Sequence, residues 1–228
     1  MPPPGSGWFN IANLGDRIFK GLCTLAACWV IILFCLLTAV LTWRSWPAIT
    51  GNGLTFFTSS VWDPSSHVRE FGSLAFVYGT LVTSAIAMMI AVPLGVGTAT
   101  YLSEIATGWV RKVVSFLVEM LAAIPSIVYG FWARLVLAPF MQPYITDMGG
   151  PTTGGLSLLT AGLILAVMIL PYVTAITFDI CRAVPQAQRE ASLALGSTRW
   201  QMIWTSVLPF ARPGILGACF LALGRAIG

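Results

Sequence analysis

Ionisable side chains are scarce in this chain. Only 9% of its 228 residues carry charge, and it has a single histidine, His67. Nothing pairs with that histidine to make a general acid–base site. Its lysines are Lys20 and Lys112, and neither follows a glycine-rich loop that could cradle phosphates. The chain therefore lacks the usual Walker-type ATP site. It also lacks a serine nucleophile elbow. The cysteines number five, Cys23, Cys28, Cys35, Cys181 and Cys219. None has metal-ligand spacing or a partner suited to a structural disulfide. These absences argue against catalysis within the chain and against a metal site. The net charge of +4 comes with no basic–aromatic patch, which argues against nucleic acid as a partner.

Apolar surface is what the chain has in excess. Apolar residues make up 57% of it, and its mean hydropathy is +0.85. No ordinary soluble domain has this composition. Residues 22–43, 71–103 and 149–178 carry no charge, and residues 113–133 carry only Glu119 and no base. Each supplies the ~20 residues that cross a bilayer as a helix. A fifth apolar stretch begins near Pro213 and is still running at Gly228, which leads us to expect a truncated fifth helix followed by a further segment. Leu25-Ala26-Ala27-Cys28 has the look of a lipoprotein cleavage box. The apolar run continues to Leu41, however, so a retained anchor is expected. Trp43, Trp46, Trp109 and Trp132 fall near the ends of these stretches, as an aromatic belt would.

Basic residues divide unequally between the two sides. Arg17, Lys20, Arg111, Lys112, Arg182, Arg189, Arg199 and Arg212 fall on one side, and Arg44, Arg69 and Arg134 on the other. The richer side should be cytoplasmic, which places the N-terminus inside. Met1–Gly7 is rich in Pro and Gly. Loops are expected outside at 46–70, with turn signals at Gly51-Asn52-Gly53 and Asp63-Pro64, and at 140–155.

The polar stretch 182–212 reads RAVPQAQREASLALGSTRWQMIWTSVLPFAR. Pro185 suits a helix start, and Gln186–Leu195 are good helix formers that Gly196 can end. Thr198 with Gln201 predicts a capping box opening a second helix, which Pro209 should close. Trp200, Ile203, Trp204 and Val207 recur at helical spacing as one apolar face. Periodicity alone fits a pair of interfacial helices on lipid headgroups, or a coupling helix that docks into a partner. Within the membrane, Arg225 is the best functional candidate, because a buried guanidinium needs a carboxylate such as Glu119 or an anionic ligand. Arg134 can snorkel to the interface or attract an anion at the outer face. Pro93, Pro125 and Pro171 each predict a kink. Gly95 and Gly97 predict close packing or unwinding.

Several motifs together resemble a known family. Glu190-Ala191-Ser192, then Gly196, then Leu208-Pro209 match the spacing of the EAA loop of ABC-importer permeases, with Ser192 and Ser206 departing from the usual Ala and Ile. Asp16-Arg17-Ile18-Phe19, Trp62-Asp63-Pro64, Phe71-Gly72, Tyr78 to Ser84 (YGTLVTS), Ala91 to Gly95, Tyr101 to Glu104 (YLSE), Glu119 to Gly130 (EMLAAIPSIVYG) and Leu223 to Gly228 (LGRAIG) resemble the PstC family, permease subunits of bacterial phosphate-specific ABC importers. The resemblance implies an all-α integral membrane protein of the type I (MetI-like) permease fold. Five membrane helices would be visible, the fifth truncated, with a sixth expected because the family's last motif continues with Glu-Thr. It implies a cytoplasmic segment at 1–21, a first membrane helix at 22–43, an extracytoplasmic loop at 44–72 and a permease domain at 73–228 with the coupling loop at 182–212.

The same resemblance implies that Glu190, Ala191, Gly196, Leu208 and Pro209 couple to an ATPase and that Arg225, with Arg134, lies on the substrate pathway. The implied partners are a sister permease PstA, a PstB ATPase dimer holding ATP and Mg, the periplasmic phosphate-binding protein PstS, and membrane lipid. The implied location is the bacterial inner membrane, multi-pass. Sulfate, molybdate or a polar amino acid would be the alternative substrates, and a non-transporting regulatory subunit the alternative role.

Overall fold

A computed structural model describes residues 8–63, 70–150 and 152–228, with side chains from residue 15 onward except that of Glu70. The Pro/Gly-rich start, His67, Arg69 and Pro64 of the expected turn lie outside the described residues. The chain divides into two compact units, residues 1–75 and 76–228. Among the described residues, four helices are long and apolar enough to cross a membrane, or five if one bent pair counts as a single span.

The first unit is dominated by α1, Trp8–Asn52, which extends past the expected span of 22–43 at both ends. Gly15, Gly21 and Pro47 are all absorbed within the helix. Apolar surroundings leave a hydroxyl no water to bond. Thr38 and Thr42 therefore donate to the carbonyls of Phe34 and Thr38, each at 2.8 Å. The helix stops only at the Gly51-Asn52-Gly53 turn signal, nine residues into the expected loop of 44–72, where Gly53 takes a φ of 55°. A one-turn helix, α2 (Thr55–Thr58), and two short antiparallel strands follow, β1 (Trp62–Asp63) and β2 (Glu70–Phe71). Trp62 stands opposite Phe71, with their rings edge-on at 5.1 Å.

The second unit is a helix bundle built around α7 (Leu158–Arg182), which packs against α4 (Gly108–Ala123) and α10 (Leu208–Ile227). Its other long helix is α3, Leu74–Glu104. Small residues let these backbones approach. Ala87 and Ala91 of α3, Ala166, Ile169 and Val173 of α7, and Ala222 of α10 form one buried cluster. Gly95 lies against Val173 and Gly162 against Ile86, so a Cβ at either position would stand 2.8 Å or 2.6 Å from a neighbouring side chain. Gly97 faces open space, and the helix runs through both glycines, so packing at Gly95 and not unwinding is the outcome. Pro93 and Pro171 likewise sit inside continuous helices.

Three expectations need correction. The span 113–133 is not one helix. Ile124 and Pro125 take extended backbone between α4 and α5 (Ser126–Trp132), and the chain bends there by 87°. Pro125 lacks an N–H and biases Ile124 away from helix, which explains the break. The first half of the loop expected at 140–155 belongs to α6, Ala138–Asp147. Pro209 does not close a helix: α9 (Arg199–Met202) continues through a π turn, Ile203–Val207, into α10. The fifth span therefore begins near Arg199 and not near Pro213.

The last two corrections share a cause. A π turn at Ala133–Leu137 precedes Pro139, as the turn at Ile203–Val207 precedes Pro209. A helical proline clashes with the carbonyl four residues earlier, here Leu135 or Thr205, and each lies within the widened turn. Widening removes the conflict, and the helix passes the proline.

Replacing Gly95 by Val should cost about 1–3 kcal/mol by overpacking against Val173. Gly97→Ala should be neutral or slightly stabilising, since it adds helix propensity in open space. Thermal unfolding of the detergent-solubilised protein checks this, and equal shifts for the two variants would contradict the packing.

Candidate functional site

The polar stretch forms a helix, a turn and the start of a second helix. α8, Gln186–Ala194, begins after Pro185, whose extended backbone provides the N-cap. It ends through Leu195 into Gly196, at φ 83°, a conformation that costs glycine little. Thr198 then opens α9 with the expected capping box. Its hydroxyl accepts from the Gln201 amide at 3.2 Å, and the Gln201 side chain accepts from the Thr198 amide at 2.8 Å. Between the helices, Ser192 and Ser197 hydroxyls meet at 2.8 Å and fix the turn. Ser192, the departure from the EAA pattern, therefore has a local structural partner.

The expected apolar stripe divides in two. Ile203 and Val207 turn inward and join Cys181, Val184, Met202 and Ala211 in a buried cluster. Trp200 and Trp204 stay exposed, stacked edge-on at 5.9 Å, and line an apolar groove of about 550 Å³ with Pro93, Val96 and Tyr101 of α3.

The five coupling candidates do not converge on one point. Ala191 and Pro209 line an open groove between α8 and α10 together with Gln188, Leu195 and Phe210. Leu208 packs on the inner cluster instead, and Gly196 shapes the turn. Glu190 is exposed and makes no ion pair among the described residues. Leu195, at the tip, is 90% exposed.

The element that holds α8 was not expected from sequence. Arg189, one residue before Glu190, turns inward onto Glu104, the last residue of α3. Its Nε donates to one carboxylate oxygen at 3.0 Å and its Nη2 to the other at 2.9 Å. Nη1 also donates to the Val184 carbonyl at 2.6 Å, and Nη2 to the Cys181 carbonyl at 2.7 Å. The side chains of Arg189 and Glu104 are only 14% and 6% exposed. Close by, Arg111 donates to the carbonyls of Leu102, Ser103 and Ala106 and caps the end of α3. The available signal was two opposite charges beside long apolar runs. Eighty-five residues separate them, and periodicity carries no information over that distance.

Arg225 is half-buried in α10 and does not meet Glu119. Its guanidinium lies over the Tyr172 ring of α7, 3.9 Å from the centroid. No carboxylate pairs with it among the described residues. Glu119 lines a separate cavity of about 240 Å³ with Ser115, Asp179 and Arg182. Arg134 is exposed and lines another, of about 290 Å³, with Ser157 and Thr160.

Comparisons with known proteins agree with one another. Residues 91–228 match the family model described as the binding-protein-dependent transport system inner membrane component. The phosphate transport system permease protein PstC of Mesorhizobium japonicum is 43% identical, over 94% of this chain and 69% of that protein. That of Xylella fastidiosa is 38% identical, over 93% and 69%. PstC 2 of Mycobacterium tuberculosis is 36% identical, over 95% and 71%. A solved structure of the MetNI methionine ABC transporter, inward-facing, superposes with a TM-score of 0.52 at 25% identity, covering 69% of this chain and 68% of that one.

Removing the capping hydroxyl by Thr198→Ala should cost about 1 kcal/mol locally. The Gln201 amide should then exchange about fivefold faster by hydrogen–deuterium exchange, and Thr198→Ser should restore protection. Unchanged exchange in Thr198→Ala would contradict the cap.

Proposed function

The chain belongs to the inner-membrane components of binding-protein-dependent transport systems, and we propose that it is the transmembrane permease subunit of an ATP-driven importer carrying inorganic phosphate into the cytoplasm. The observation that carries this reading is similarity, over 93–95% of this chain and 69–71% of theirs, to phosphate transport system permeases from three bacteria, joined to a multi-pass helical fold like that of a methionine ABC transporter. The substrate rests on those relatives, and the membrane role on the apolar helices.

In this reading the side holding α8 and the N-terminus is cytoplasmic, in keeping with the excess of Arg and Lys there. A sister permease, PstA, completes the pathway. A PstB dimer binds ATP and Mg and supplies the hydrolysis for which this sequence has no Walker-type site. A periplasmic PstS delivers phosphate. Glu190, Ala191, Gly196, Leu208 and Pro209 belong to the ATPase-facing region, and the exposed edge of α8 with the groove beside Pro209 suits docking. ATPase closure then moves α8, and the bundle follows because α8 is bonded into it.

Arg225 is proposed to contact the anion. The Tyr172 ring holds its guanidinium by a cation–π contact at 3.9 Å, and the N–H donors are proposed to bind the anion. A planar fork of donors matches phosphate oxygens. Arg134 serves as a weaker anion attractor toward the outer face.

Radiolabelled phosphate uptake by phosphate-starved cells lacking the gene tests this reading. Complementation with the full-length protein should restore uptake that excess unlabelled phosphate blocks and excess sulfate does not. Competition by sulfate would keep the permease and overturn the substrate. Arg225→Gln should lower uptake by about 10- to 100-fold, the effect of losing one charge-assisted bond. Glu190→Lys should leave the protein in the membrane but abolish ATPase-driven uptake. Normal stimulated turnover with Glu190→Lys would remove Glu190 from the coupling role.

A further inference from the structure

The charges that sequence spacing did not bring together are the ones the fold buries together. Glu104 is an odd residue to find at the end of α3, because a carboxylate at a helix C-terminus meets the negative end of the helix dipole. Arg111 already caps the carbonyls there, so Glu104 is not needed to finish the helix. Its partner is Arg189, and the fork makes four bonds at once: two to Glu104, and one each to the carbonyls of Cys181 and Val184. One guanidinium thus joins the last residue of α3, the end of α7 and the body of α8.

Without this fork α8 would be tied to the bundle mainly through its own chain, by the three residues after α7 and the turn into α9. A push on α8 would then reach α7 and α10 through the backbone and would reach α3 poorly. With it, α3 is held at its terminal residue by a bidentate pair, whose geometry resists both sliding and rotation.

We infer that the Glu104–Arg189 pair is the joint that passes movement of α8 to α3, so that Glu104 and Arg189 are positioning residues for coupling and not merely a stabilising ion pair. This rests on the reading of α8 as the ATPase-facing element. The outward neighbour Glu190 would meet the partner while the inward Arg189 carries the load into the membrane. Lysine cannot replace Arg189, since an ammonium is a point charge without the planar fork. Glutamine at 104 keeps the size and one acceptor but loses the charge and half of the bidentate pair.

The test uses the complete transporter, with its sister permease, ATPase pair and binding protein, reconstituted in liposomes. Glu104→Gln and Arg189→Lys are each compared with wild type for phosphate imported per ATP hydrolysed, normalised to assembled complex. Amide exchange across residues 183–196 is followed in parallel. A joint predicts that import per ATP falls by about tenfold in both variants while the complex still assembles. It also predicts faster exchange in α8. Unchanged import per ATP in both variants would overturn the joint. Loss of import only in proportion to lost assembly would overturn it too, leaving a structural clasp. If Glu104→Gln does not assemble, Arg189→Lys, which keeps the charge, decides by the same ratio; failure of both to assemble counts against the joint. A wild-type complex that imports no phosphate would fail the permease reading alone. In that case the exchange data still report whether the pair holds α8, and unchanged exchange would overturn that hold.

Discussion

A single guanidinium determines how the polar part of this protein meets its apolar part. Arg189 reaches back from α8 and donates to the carboxylate at the end of α3 and to two carbonyls at the end of α7. Buried pairs of this kind contribute little net stability, because desolvation offsets attraction. Their value is in what happens when one member is lost, since a lone buried charge costs about 3–5 kcal/mol. The pair therefore enforces one arrangement of three helix ends. Everything α8 presents outward, from Glu190 to Leu195, depends on that arrangement.

The rest of the bundle obeys the constraint of an apolar solvent. Lipid offers no hydrophobic drive for helices to associate, so close packing must supply the attraction. Ala87, Ala91, Ala166 and Ala222 give α3, α7 and α10 flat faces, and Gly95 and Gly162 admit Val173 and Ile86. Backbone groups must also remain bonded, which is why Pro139 and Pro209 follow π turns and do not end their helices. The break at Ile124-Pro125 turns the chain by 87°, and the Tyr129 hydroxyl just beyond it donates back to the Leu121 carbonyl at 2.7 Å. Small-residue interfaces and a bent segment suit a proposed pathway that must open and close.

Much of this was legible in the sequence, for physical reasons. Long uncharged runs have few alternatives to crossing a membrane, so α1, α3 and α7 follow from composition. Gly196 and the Thr198–Gln201 box are local rules, and both hold in the structure. Sequence erred where one rule competed with another. Proline was read as a stop at Pro209, but a widened turn let the helix continue. Pro125 was read as a kink in one span, yet it separates two helices. The apolar stripe of Trp200, Ile203, Trp204 and Val207 was read as one face, but packing buries Ile203 and Val207 and leaves Trp200 and Trp204 exposed. The bonds of Arg189 to Glu104 and of Arg225 to Tyr172 join distant segments, and only the packed bundle brings them together.

The central claim is that α8 stands fixed on the membrane bundle with its tip free to engage an ATPase. Leu195, 90% exposed at that tip, offers the most direct measurement. A Leu195→Cys variant would be treated with a short cysteine-to-amine cross-linker in membranes containing the whole transporter, with the unaltered chain, which has cysteines elsewhere, as control. The account predicts a cross-linked product with the ATPase subunit that appears only with the variant and changes in yield when ATP is added. An assembled, active transporter giving no variant-specific ATPase adduct would contradict it.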